Sequence, residues 1–286
     1  MPTSTWTPDF SALRNQFDFA IAEDIGDGDH SALSCLDPQS RGLVQLLIKE
    51  PGILAGAALA QWLFTYIDPT AAVELHIADG TPVKPGDVAL VAEGNIIKLL
   101  QSERLVLNYM QRLSGIATRT AEYAERIAHT NCTVLDTRKT TPGLRVLEKW
   151  AVHLGGGGNH RMGLYDMIML KDNHIDFAGG ITCAVQRVRD YLSEHQKELA
   201  IEVETRDSEE VREALACEVD RIMLDNFSPE QTREAVAIIG GACEVESSGG
   251  ITLENLVDYA ECGVDYISIG ALTHHIKGLD MSLKAI

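Results

Sequence analysis

Residues 200–225 read AIEVETRDSEEVREALACEVDRIMLD, and the pattern of that stretch decides the fold. A β-prone run at 200–203 ends on Glu204. A helical pattern follows at 208–216, and a second run at 221–224 ends on Asp225. Run, helix, run is the signature of a βαβ unit with parallel strands. Working outward, comparable runs occupy 133–135, 167–170, 243–245 and 266–269, with further helices near 178–196, 229–239 and 252–262. An eight-fold barrel takes about 250 residues, more than this half of the chain offers. A reduced barrel and an open doubly wound sheet remain. Every run is followed by polar or small residues: Asp136 to Lys139, Lys171, Glu204, Asp225, Ser247 to Gly250, and Gly270. A βα barrel gathers such ends on one rim, whereas an open sheet spreads them along an edge. Six strand ends that all carry chemistry favour closure.

The N-terminal part reads differently. A helix is expected over 9–24, with Leu13, Phe17, Ala20 and Ile21 on one face, then a loosely alternating strand at 41–49. Residues 51–67 carry no charge but fall short of the ~20 apolar residues of a membrane span; they predict a buried Ala-rich helix. Strands follow at 73–78 and 88–92. A long helical region spans 97 to about 129, with a break expected at Ser114-Gly115. This is an α+β arrangement.

Composition narrows the function. The 286 residues carry 24 Lys+Arg against 42 Asp+Glu, a formal charge of −18, so nucleic acid and anionic membranes are not expected partners. The six cysteines are scattered, which argues against a zinc or iron–sulfur site and for reduced thiols in a cytoplasmic protein. The first ten residues show no secretory leader.

Any anion must therefore be met locally. Between 138 and 171 the balance inverts: six basic residues (Arg138, Lys139, Arg145, Lys149, Arg161, Lys171) face two acidic ones, with His153 and His160 among them. Arg138 and Lys139 follow a strand, and His160-Arg161 follow four glycines at 155–158, whose backbone could approach a ligand closely. Two later strand-to-helix turns, Ser247-Ser248-Gly249-Gly250 and Ser268-Ile269-Gly270, have the small residues of phosphate loops. Glu202 and Glu204 share a strand face and Asp225 ends the next strand. Those carboxylates suit ion pairing with the cations, or ribose hydroxyls and Mg²⁺; the residues alone do not separate these uses.

The motifs resemble those of the quinolinate phosphoribosyltransferase family over nearly the whole chain. They run from Glu23-Asp24-Ile25-Gly26 and Glu50-Pro51-Gly52 through Glu103-Arg104, Ser114-Gly115-Ile116-Ala117-Thr118, Asp136-Thr137-Arg138-Lys139-Thr140-Thr141-Pro142-Gly143, Asn159-His160-Arg161 and Leu170-Lys171-Asp172-Asn173-His174. Leu224-Asp225-Asn226-Phe227, Ser247-Ser248-Gly249-Gly250-Ile251 and Ser268-Ile269-Gly270-Ala271-Leu272-Thr273-His274 complete them. Departures are His30 for a usual Thr, Trp150 for a usual Tyr, and one extra glycine before Asn159; none removes a charged site residue.

The resemblance implies an incomplete α/β barrel of six to seven strands with an N-terminal α/β sandwich domain. The boundaries would be 1–116 and 117–271, with a tail of about 272–286 returning to the first domain. It implies transfer of a phosphoribosyl group from phosphoribosyl pyrophosphate to quinolinate, with Mg²⁺ as cofactor. The products would be nicotinate mononucleotide, pyrophosphate and CO₂, in de novo NAD synthesis. Arg138, His160, Arg161 and Lys171 would face the dicarboxylate, with Arg104 reaching in from the other subunit of a homodimer or of a hexamer built from dimers. Lys139, Ser247, Ser248, Gly249, Gly250, Ser268, Ile269 and Gly270 would hold the phosphates of phosphoribosyl pyrophosphate, and Thr137 would also bind substrate. Glu204 and Asp225 would face the ribose, with the direct metal ligands left open, and Lys139, Lys171, Glu204 and Asp225 form the catalytic set. Rival readings are a same-fold transferase for another pyridine and a non-catalytic anion sensor. Neither explains why the dicarboxylate-facing cations occur together with Glu204 and Asp225.

Overall fold

The computed structural model describes residues 6–286, so the expectation of no leader falls partly on residues 1–5, outside the described residues. The chain divides into two compact units. The first comprises residues 1–121, 141–156 and 275–286. A 3₁₀ turn, Phe10–Leu13, runs into α1 (Arg14–Ile25), where Phe17 is fully buried and Leu13, Ala20 and Ile21 are half-buried. After α2 (His30–Cys35), β1 (Arg41–Ile48) alternates as expected, with Val44, Leu46 and Ile48 inward. β2 (Gly52–Ile53) precedes α3 (Ala57–Ile67), the Ala-rich helix, which buries Ala57, Leu59, Ala60, Leu63 and Phe64. Burying Leu63 or Phe64 contributes about 1.5–3 kcal/mol each. Gly56 offers no capping side chain, and Asp79 supplies one from a distance, accepting from Ala57 N at 2.8 Å and Ala58 N at 3.0 Å.

β3 (Ala72–Leu75), β4 (Pro82–Val83) and β5 (Val88–Asn95) lead into α4 (Ile96–Arg126). The break expected in that helix is absent. Ser114 Oγ instead accepts from Ala55 N at 2.9 Å, and Gly115 lies against the backbone at Lys277, where a Cβ would overlap the carbonyl oxygen. The Ser-Gly pair permits close packing rather than a kink. α5 (Arg145–Leu154) also belongs to this unit, although residues 141–156 read as part of the barrel stretch. Its fully buried Glu148 takes Arg112 Nε at 2.8 Å and Thr141 N at 3.1 Å, which anchors the chain just beyond Lys139.

The second unit, residues 122–140 and 157–274, carries the βα repeats. β6 (Thr133–Leu135) and β7 (Ile168–Leu170) are followed by α6 (Asp172–Ala178) and α7 (Ile181–Glu194). Then come β8 (Ile201–Thr205), α8 (Ser208–Ala216), β9 (Arg221–Asp225), α9 (Pro229–Ile239), β10 (Glu244–Ser248), α10 (Leu256–Ala260), β11 (Tyr266–Ser268) and α11 (Ala271–His274). Local chemistry sets the helix starts. Asp207 caps α8 by accepting from Glu209 N and Glu210 N, and Ser228 with Gln231 forms a capping box on α9 with Pro229 at its first position.

The six strands are parallel in the order β6-β11-β10-β9-β8-β7. Neighbours in sequence are neighbours in space except at β6 and β7, which do not pair, so the closure expected from the strand ends is not completed. Gly158 alone extends the β6 edge, bridging to Leu135 with its N–H on Val134 O at 2.8 Å. Beyond it the chain turns, because Asp166 accepts from Met162 N at 2.6 Å and Gly163 N at 2.8 Å. The helix expected over 252–262 is also shorter, since Asn255 draws Thr252 N into a turn before α10. Last, β12 (Met281–Ala285) returns to the first unit and pairs antiparallel with β1, giving the sheet order β12-β1-β5-β3. Among the described residues no helix is long and apolar enough to cross a membrane.

Candidate active site

The strand ends of the second unit enclose a cavity of about 370 Å³ lined by Thr137, Arg138, Lys139, His160, Arg161, Met169, Lys171, Met223, Ser248 and Ser268. Cations from three separate loops converge there. Burial, and next the charge of Arg138, pull the Arg161 guanidinium below its ordinary pKa. Like charges held together in this way await an anion. A larger groove of about 740 Å³ lies at the opposite strand ends, but Glu218, Asp220, Glu244 and Asp265 line it and would repel a carboxylate or phosphate.

Backbone and side-chain bonds hold each cation-bearing loop. Thr137 Oγ1 accepts from Lys139 N at 3.0 Å, and the buried Thr273 hydroxyl donates to Lys139 O at 2.8 Å. Lys171 N donates to His174 Nδ1 at 3.1 Å, and its ammonium pairs with Glu204. Glu204 is thus engaged with a cation, while Asp225 accepts from the Asn226 amide, 2.9 Å from Oδ2. Arg104 is exposed on α4 in the first unit and does not line this cavity.

The expected phosphate loops need finer description. Ser248 and Ser268 face the cavity, but Ile269 N is bonded to Leu135 O at 2.9 Å, so that N–H serves the sheet. The Ser247 hydroxyl is buried without a hydrogen-bond partner among the described residues. Gly249 has φ +93°, and a Cβ on it would overlap the Asn226 side chain rather than ligand space; Gly250, φ +64°, faces open space. Asn226 itself sits at φ 58° with its N–H on Ser248 O at 2.8 Å, so Gly249 permits the contact that locks the β9 and β10 ends together. Gly249→Val is therefore expected to lower stability by roughly 1–3 kcal/mol. It should weaken phosphoribosyl pyrophosphate binding through displaced Asn226 and Asp225. An unchanged thermal midpoint would contradict that role.

Beneath the rim lies a group of charges of which the sequence singled out only His160 and Glu202. His160 Nε2 is 3.0 Å from Glu202 Oε2 and 3.5 Å from Glu246 Oε2, at ion-pair distance though not in line for a full hydrogen bond. Both carboxyls are fully buried, and burial pushes each up to about 7. Arg221 binds Glu246 at 3.0 Å and Glu244 at 2.8 Å and stacks on Tyr266. The His160, Glu202 and Glu246 ligand atoms lie within 4.8 Å of one another, a metal-like spacing. The Arg221 guanidinium already supplies the positive charge that an ion would bring. Met169 and Met223, the apolar floor of the cavity, carried no distinguishing signal, since their runs read simply as strands.

Comparison with known proteins agrees with this geometry. Residues 29–114 match the quinolinate phosphoribosyl transferase N-terminal domain and residues 116–284 the C-terminal domain. A mitochondrial quinolinate phosphoribosyltransferase [decarboxylating] from Nicotiana tabacum is 44% identical over 95% of this chain and 82% of its own length. A probable nicotinate-nucleotide pyrophosphorylase [carboxylating] from Bacillus subtilis is 43% identical over 95% of this chain and 92% of its own. The crystal structure of NadC from Streptococcus pyogenes superposes with a TM-score of 0.93 at 39% identity, covering 99% of this chain and 100% of that one. With both domain models matched in order along one chain, and with full-length relatives above 40% identity, the protein belongs to the quinolinate phosphoribosyltransferase family.

Proposed function

We propose that the cationic cavity of the second unit is where this chain carries out its family's reaction. As a nicotinate-nucleotide pyrophosphorylase (carboxylating), it transfers a phosphoribosyl group to quinolinate with loss of CO₂, in NAD biosynthesis. The observation that carries the assignment is the convergence of Arg138, Lys139, Arg161 and Lys171 in a chain of net charge −18. Quinolinate is a dicarboxylate, and burying it requires fixed cations. Arg138, Arg161 and Lys171 supply them, over an apolar floor of Met169 and Met223 that suits a pyridine ring.

Phosphoribosyl pyrophosphate lies along Lys139, Ser248 and Ser268. Its ribose faces Asp225, and Glu204 steadies Lys171. The pyridine nitrogen attacks the ribose C1 as pyrophosphate departs, and Lys139 stabilises the charge growing on the leaving oxygens. The ring nitrogen becomes cationic and stabilises the carbanion left when the adjacent carboxylate leaves as CO₂; a proton then takes that position. Mg²⁺, when bound, adds Lewis-acid neutralisation of the pyrophosphate. Asp225, an oxygen donor with no cation partner among the described residues, is the residue that would hold it. Incubating the protein with quinolinate labelled in the carboxyl adjacent to the ring nitrogen, phosphoribosyl pyrophosphate and Mg²⁺ tests the reading. Label should leave as CO₂ only when all three are present, and retention of label would refute it.

We further propose a cytoplasmic homodimer with shared active sites, in which Arg104 completes the partner's site. Arg104 is exposed and makes no ion pair among the described residues, as a group that works in trans requires. Arg104→Ala and Lys171→Ala proteins, each inactive, are unfolded together and refolded. Half the dimers should be mixed, each with one intact site, restoring about a quarter of wild-type activity. A mixture as inactive as its parts would place Arg104 in cis.

A further inference from the structure

Two of the cation-bearing loops meet across the gap that the sheet leaves open, since β6 and β7 do not pair. Arg138 follows β6, Arg161 belongs to the segment before β7, and both line the cavity. Backbone pairing joins the two segments as far as Gly158, whose N–H reaches Val134 O at 2.8 Å and whose carbonyl accepts from Asp136 N at 3.2 Å. Beyond Gly158 a side chain takes over from the ladder. Asp136 Oδ1 accepts from the His160 backbone N–H at 2.9 Å, and Asp136 Oδ2 accepts from Asn159 Nδ2 at 2.7 Å.

Asp136 is fully buried and stands just ahead of Arg138 in the chain. A buried carboxylate needs donors for its oxygens, and here they come from the residues directly before Arg161. The two bonds are charge-assisted, and a grip at two points sets direction as well as distance. Lys139 is held differently, by Thr137 Oγ1 on its N–H and by the Thr273 hydroxyl on its carbonyl. We propose that Asp136 is a positioning residue that sets the spacing of Arg161 against Arg138, and with it the fit of the cavity to a planar ring bearing two neighbouring carboxylates. Its influence falls on the dicarboxylate and spares the phosphates at Lys139.

This inference rests on the cavity being the quinolinate site, and a swap of two side chains tests it. Asp136→Asn leaves one acceptor oxygen for two donors, and Asn159→Asp sets carboxylate against carboxylate. The double variant restores both bonds, because the new amide at 136 accepts from His160 N and donates to the new carboxylate at 159. Each single variant should raise KM for quinolinate at least about tenfold, the loss expected when a binding group moves by part of an ångström. KM for phosphoribosyl pyrophosphate should stay within about twofold. The double variant should bring KM for quinolinate back to within about threefold of wild type. Thermal melts of the same proteins follow the link without turnover: each single variant melts lower, and the double variant recovers.

Equal rises in both KM values would mark a general structural role and overturn the proposal. A double variant that is as impaired as the single ones, or that does not fold, would overturn it too. Where a single variant does not fold, the double variant decides alone. A wild-type protein without turnover, whose variants still show the rescue in their melts, would count against the quinolinate reading and not against the Asp136 link.

Discussion

Lys171→Ala is expected to lower kcat/KM for quinolinate on the order of 10²–10³-fold, the loss typical when one preorganised charge-stabilising group is deleted. The fold should survive. The Lys171 side chain is 43% exposed and makes no core contact, and its backbone stays fixed by His174 Nδ1. Glu204, whose side chain is only 12% exposed, loses its partner, which costs some stability without disturbing the core. A thermal midpoint within a few degrees of wild type, alongside the kinetic loss, is the expected pair of results. Near-normal turnover in the folded variant would remove Lys171 from the site. Lys171→Arg should recover part of the activity, since charge is kept while the planar fork fits a site built for a compact ammonium poorly.

The second large effect concerns stability. Arg221 is nearly buried and is the guanidinium that offsets Glu246 and, through it, Glu202. Arg221→Met keeps much of the side-chain bulk but strands the carboxyls, and breaking a buried pair by removing one partner costs about 3–5 kcal/mol. For a chain of this size that lowers the thermal midpoint by on the order of 10 °C. The effect carries a pH signature. Burial raises Glu246 to about 7, above its unfolded value, so the native state holds extra protons and its stability falls as pH rises from the carboxylate range through about 7. Arg221 pulls that value down, so without it the native state keeps its proton to higher pH still. The deficit of the variant against wild type should therefore widen as pH rises through about 7, and narrow below it where Glu246 is protonated in both proteins. Thermal melts at several pH values check this, and a pH-independent deficit would mean that Arg221 contributes only packing and its bond to Glu244.

Much of this protein is legible one residue at a time. The βαβ rhythm around residues 200–225 and the reversal of charge between 138 and 171 both survive in the structure. Local propensity, capping residues and composition encode them, and none needs a distant partner. Most of the uncharged run at 51–67 likewise forms a buried helix, α3 (Ala57–Ile67), preceded by the short strand β2.

The misreadings share one cause, which is that a distant group decides. Ser114-Gly115 looked like a helix break but accommodates Ala55 and the backbone at Lys277. Gly249 looked like room for a phosphate but makes room for Asn226.

The sequence by itself determined which segments become strands and helices, which strand ends carry charge, and, through the resemblance of its motifs, the family. Only the tertiary structure decided how those ends are used: whether the sheet closes, and which carboxylate meets which cation. Propensity acts between neighbours in the chain. Burial, hydrogen-bond partnership and charge depend on groups brought together from far apart, so protonation and division of labour in the site exist only once the chain has folded.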